Sequence, residues 1–181
     1  YSIYYRVFTL IGSLFMLALT PLWSKITKDY CEGKYLRIKK TNKVLYLISA
    51  MTLVLEFLVV PLLQFVINIW LREEAILVNT YVALVFALFG SVYIFNVVLT
   101  TVANGIGELK SQIYFYGVGF VLKIAICYIF KSIVNHWCVV VAANILILLA
   151  FCCYQIVWVE KRINLLIKNN SSEESIKYES I

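Results

Sequence analysis

Long apolar runs separated by short polar segments dominate the chain. Five of them, Ile3–Trp23, Val44–Trp70, Ile76–Ala103, Ile113–Phe130 and Trp137–Val159, match the roughly 20 residues that a helix needs to cross about 30 Å of hydrocarbon. The pattern predicts an all-α fold, a polytopic membrane bundle of five transmembrane helices over residues 1–168, followed by a polar tail over 169–181. Pro61 falls inside the second run, where it should kink the helix, and Pro21 near the end of the first. Rings mark the run ends: Tyr4, Tyr5, Trp23, Trp70, Trp137 and Trp158 stand where amphipathic aromatics meet headgroups.

The connectors orient the spans. Residues 24–43 carry Lys25, Lys28, Lys34, Arg37, Lys39, Lys40 and Lys43 against Asp29 and Glu32, and such a basic segment resists translocation. It is expected in the cytoplasm, with 29–43 available to lie on the membrane as a short amphipathic helix. Arg72, Glu73 and Glu74 then face outward, the balanced turn Asn104–Gln112 inward, and Lys131–His136 outward. Glu160, Lys161, Arg162 and Lys168 return to the cytoplasm. The chain should start outside and end inside, in a disordered tail from Asn169. Because it opens on Tyr1, two residues from an apolar run, it reads as a fragment lacking an N-terminal part.

Composition narrows the class further. With 62% hydrophobic and 14% charged residues and a mean hydropathy of +0.87, a soluble globular domain is excluded. The net charge of +6 sits in segments flanking the spans, which fits a lipid bilayer and its anionic headgroups and gives no nucleic-acid footprint. Cys31, Cys127, Cys138, Cys152 and Cys153 have no CxxC spacing and His136 is the lone histidine. These cysteines read as small apolar packing residues, and no metal or other cofactor is expected.

Ionisable groups inside spans are costly and mark cavities or partners. Glu56 and Lys123 each lie about a dozen residues beyond the inner end of a span, hence near the midplane. Three readings fit them: a structural ion pair, the lining of a translocation cavity, or a proton-carrying Glu56. Arg6, near an outer end, either snorkels to the headgroups or faces a lumen and grips an anion such as phosphate through its fork. Among neutral groups, Gln64 with Asn68, Asn96 with Thr100, and Asn144 suit interhelical hydrogen bonds or sugar hydroxyls in a hydrated cavity. Gly117 and Gly119 suit close packing or bending. No paired catalytic carboxylates and no serine with a histidine base appear, so no enzyme is expected.

The run Tyr1-Ser-Ile-Tyr-Tyr-Arg-Val-Phe, then Leu19-Thr-Pro-Leu-Trp-Ser24, the basic linker with Asp29-Tyr30 and Gly33-Lys34, and Asn104-Gly-Ile-Gly-Glu108 together resemble the C-terminal half of Wzx-type polysaccharide flippases. These belong to the MATE-like multidrug/oligosaccharidyl-lipid/polysaccharide exporter superfamily. The resemblance implies two helical lobes around a cavity of alternating access, with these spans forming most of the second lobe and the missing N-terminal lobe as its partner. It implies transport of an undecaprenyl-diphosphate-linked oligosaccharide across a bacterial inner membrane, and a cation at Arg6 in the cavity. Glu56 departs from the apolar character usual at its place. A multidrug exporter of the same superfamily shares the architecture, and a membrane polysaccharide polymerase or glycosyltransferase is the reading from another class.

Overall fold

The computed structural model describes residues 1–72, 76–131 and 138–179, and places nearly all of them in helices: α1 Ser2–Cys31, α2 Tyr35–Leu71, α3 Thr80–Gly105, α4 Lys110–Lys131 and α5 Cys138–Glu179. All five are long and apolar enough to cross a bilayer, one for each apolar run. No strand occurs among the described residues. Glu73, Glu74, His136 and Trp137 lie outside them.

The helix ends differ from the run ends, for reasons that lie in the backbone. Residues 24–43, expected as a linker with a helix lying on the membrane, are instead the last turns of α1 and the first turns of α2. Only a tight turn interrupts them. Gly33 adopts φ +69°, the Lys34 N–H reaches the Asp29 carbonyl at 2.8 Å and the Gly33 N–H reaches the Tyr30 carbonyl at 3.2 Å. This crossed pair of bonds closes a helix when a residue without Cβ takes the left-handed conformation. The same device ends α3: Gly107 has φ +77°, with Glu108 N–H to Ala103 at 2.9 Å and Gly107 N–H to Asn104 at 3.1 Å. In the first turn the Lys34 ammonium pairs with Glu32 and holds its carboxyl below the usual carboxylate range. At the other end of the chain, where the polar composition from Asn169 suggests a disordered tail, α5 runs on to Glu179. No glycine or proline follows Gly119, so nothing in the backbone stops it.

α3 is the hub, packed against α1, α2 and α5, while α4 packs chiefly on α5. Lipid is as apolar as leucine, so helices in a bilayer associate through close packing, which small residues permit. α3 supplies them: Ala83, Ala87 and Ser91 recur every fourth residue and are buried, as are Gly90, Ala103 and Gly105. A Cβ on Gly105 would lie 2.5 Å from Ile26 Cγ2, so α1 and α3 touch backbone to side chain there. Two apolar clusters result. One gathers Phe8, Leu63, Ile67 and Phe86, the other Ile26, Ile38, Leu45, Val102 and Val159.

Polar contacts fix which ends lie together. The Asn79 N–H donates to the Tyr4 hydroxyl at 2.9 Å, joining the starts of α1 and α3, while the Asn79 side chain caps α3 by accepting from Tyr81 and Val82 N–H. Gln64 closes the α2–α3 connection, accepting from Val78 N–H at 2.8 Å and donating to the Ile76 carbonyl and to Asn68. At the opposite end Arg162 pairs with Glu108 at 3.1 Å and Lys39 donates to Asn164 at 2.7 Å. α1, α3 and α5 therefore run one way, with the α1–α2 and α3–α4 turns and the later part of α5 gathered at one end.

Candidate functional site

Because α4 stands on α5 and only lightly on α3, a wedge stays open between α1, α3, α4 and α5. Its volume is about 510 Å³. One wall is a file of rings from α1 and α3: Tyr1 stacks on Tyr5 at 5.9 Å between centroids, Tyr5 meets Phe89 at 6.0 Å and Phe89 meets Tyr93 at 6.2 Å. Tyr93 in turn donates to Met16 Sδ at 3.6 Å. The facing wall is Tyr116, Phe120 and Lys123 of α4 with Asn144 and Ile147 of α5. Tyr116 is held by a stack on Phe151 at 5.1 Å, and its hydroxyl donates to Asn96 Oδ1 at 3.0 Å. The Asn96 amide nitrogen is itself buried and has no hydrogen-bond partner among the described residues.

The chemistry of this lining is specific. Ring faces accept the C–H faces of sugars, as they accept other flat apolar surfaces, amides bond hydroxyls, and Lys123 is the one cationic side chain among the described residues that line the cleft. Gly119 is what lets the wall stand so near α5: a Cβ there would lie 2.8 Å from Ile147 Cγ2. Gly117 has open space around it, so of the two roles expected for these glycines, packing or bending, close packing is seen at Gly119 alone of the two.

The residues singled out from sequence do not converge on one place. Lys123, Asn96 and Asn144 line the cleft. Arg6 is exposed on another side of α1, in a groove of about 470 Å³ shared with Thr9, Leu10, Ser13, Val66 and Trp70. Thr100 bonds back to the Val97 carbonyl at 2.9 Å, and Gln64 and Asn68 belong to the α2–α3 connection. Glu56 is fully buried in the α2–α3 contact, so close to Gly90 that a Cβ there would lie 2.8 Å from its Oε1.

Of the three readings of Glu56 and Lys123, the ion pair is not seen: neither Glu56 oxygen has a hydrogen-bond partner among the described residues. Equal depth is not adjacency, and α2 and α4 approach the hub from different sides. Sequence reasoning missed the ring file and Tyr116, because in an apolar run a ring facing a cleft reads like a ring facing lipid. It also missed Gln155, which is buried and receives the Ser111 hydroxyl at 3.2 Å.

Fold and lining together define the class: an all-α bundle of helices long and apolar enough to cross a membrane, with a ring-walled cleft that carries a few polar groups. No family model matches the chain, and no curated protein or solved structure matches it either.

Proposed function

We propose that the chain is a transporter lobe that moves an undecaprenyl-diphosphate-linked oligosaccharide across a bacterial inner membrane. The observation that carries this reading is the cleft itself: rings for sugar faces, Asn144 for hydroxyls, and Lys123 for a phosphate. A second lobe facing this one would close the cavity, and rocking of one against the other would alternate access. The end that gathers the basic α1–α2 hairpin, Lys110, Lys161 and Arg162 is cytoplasmic on this reading, since cations cluster on the side from which segments are not translocated. Lys123 disfavours the exporter of organic cations, because a fixed ammonium in the binding cleft repels such cargo.

The test is transfer of a fluorescent undecaprenyl-diphosphate oligosaccharide between leaflets of liposomes containing the protein. The labelled lipid should change leaflet. Lys123→Ala should slow it severalfold, and Lys123→Arg should retain most of it. A lipid that stays in its leaflet while organic cations are moved would overturn the proposal in favour of the exporter.

A further inference from the structure

Polar residues of α2 that the cleft does not use form a pattern of their own. Between Asn42 and Glu56 the residues shielded from the surface are Asn42, Leu45, Tyr46, Ser49, Thr52 and Glu56, so Leu45 is the one apolar member. The outward residues Leu47, Met51, Leu53, Val54 and Leu55 are exposed and apolar. Lipid contact explains the outer face, but not why the packed face should be polar. Asn42, Ser49 and Glu56 recur every seventh residue with Tyr46 and Thr52 filling the turns between. At about 1.5 Å per residue they make a column roughly 21 Å long, ending at Glu56 in the middle of the span.

The column is unsatisfied at both ends. Asn42 Oδ1, Tyr46 Oη and both Glu56 oxygens lack hydrogen-bond partners among the described residues. Asn42 and Tyr46 sit one turn apart, near enough to interact yet outside hydrogen-bond geometry. Ser49 and Thr52 donate to their own helix, to the carbonyls of Leu45 and Ser49, each at 2.8 Å, which leaves their oxygens able to accept. Buried polar groups are normally paired, with ordered water where protein supplies no partner. Where the column meets the α1–α2 hairpin end, Lys39, Asn42, Lys43, Glu160, Ile163 and Asn164 line a pocket of about 10 Å³, room for about one water.

Among the described residues no cation is placed to pair with Glu56. α3 has no charged residue, α1 has none between Arg6 and Lys25, α5 has none between Cys138 and Glu160, and Lys123 of α4 lines the cleft. Two tyrosines on the packed helices are engaged elsewhere, the Tyr93 hydroxyl with Met16 and the Tyr4 hydroxyl with Asn79. An unpaired carboxylate charge in such surroundings is costly.

We propose that Glu56 is a proton-binding site in the middle of the membrane, reached from the α1–α2 hairpin end through the column Asn42–Tyr46–Ser49–Thr52. The step is a transfer along bridging waters and the hydroxyls of Tyr46, Ser49 and Thr52, with the Asn42 amide only holding a water: each water or hydroxyl oxygen takes one proton and passes one on, from the mouth beside Glu160 to a Glu56 carboxylate oxygen, with no other bond altered. The site is independent of what the cleft carries.

Infrared spectroscopy of the protein in liposomes at neutral pH tests it. A protonated-carboxyl C=O band should be present, vanish in Glu56→Gln and shift in D₂O, and Asn42→Leu and Tyr46→Phe should slow that shift severalfold while leaving the band in place. An ionised Glu56, or exchange equally fast in both column variants, would overturn the proposal. Should Glu56→Gln fail to fold, an apolar carbodiimide, which attacks protonated carboxyls in apolar surroundings, serves on the unaltered protein. Mass spectrometry should find the adduct on Glu56, and an unmodified Glu56 would again overturn it.

Discussion

Glu56 and Gly90 are a matched pair: a carboxyl occupies the space that a methyl at position 90 would take. Gly90→Ala should therefore force α2 from α3 and lower stability by about 1–3 kcal/mol, the usual cost of overpacking. Thermal unfolding in detergent checks this, and shortening the acid with Glu56→Asp in the Gly90→Ala background should recover part of the loss. An unchanged midpoint for Gly90→Ala would show that the contact gives way cheaply. That Glu56, Lys123 and Arg6 matter was legible in the sequence, because a charge inside an apolar run stands out whatever surrounds it. Their partners were not legible. Depth follows from counting residues, but the face a side chain turns to depends on which helices meet, and here Arg6 and Lys123 open onto different grooves while Glu56 opens onto neither.

Each helix was readable as an apolar run, whereas its ends were not, because hydropathy stops at the headgroups and a helix stops where its backbone is made to. Gly33 and Gly107 do this for α1 and α3, and they mark the same end of the bundle. Gly107 offers the cleaner test, since a Cβ there would meet nothing within 4 Å and only the left-handed conformation would be penalised. Gly107→Ala should cost about 1–2 kcal/mol by thermal unfolding, with no change in the cleft. The ion pair Arg162–Glu108 next to it is partly exposed. Arg162→Glu should cost no more than about 1 kcal/mol, and the double exchange Arg162→Glu with Glu108→Arg should restore most of it.

Across the whole molecule, five spans and an all-α bundle follow from run lengths, but the hub does not. α3 lies at the centre because its small residues admit neighbours on several sides, a property of spacing among alanines, glycines and serines that hydropathy ignores. The arrangement predicts a labelling pattern that needs no assumption about which side is cytoplasmic. Lys34 and Asn170 line one surface pocket, and Leu77, highly exposed, belongs to the α2–α3 connection at the far end. With single cysteines introduced at these positions in oriented vesicles, an impermeant thiol reagent should reach 34 and 170 together and 77 only from the opposite face. Joint reaction of 34 and 77 would refute the helix order.

The length of α5 has a mechanical consequence. Its 42 residues make a rod of about 63 Å at 1.5 Å per residue, about twice the thickness of a bilayer's hydrocarbon. Such a rod is a lever with its fulcrum in the lipid, where it presses on α3 and α4. Its far end is tied to its neighbours by Lys39–Asn164 and Arg162–Glu108, so any pivot of α5 is handed on to the α1–α2 hairpin and the α3–α4 turn, and spin probes at Ile167 and Lys34 should keep their separation as it moves.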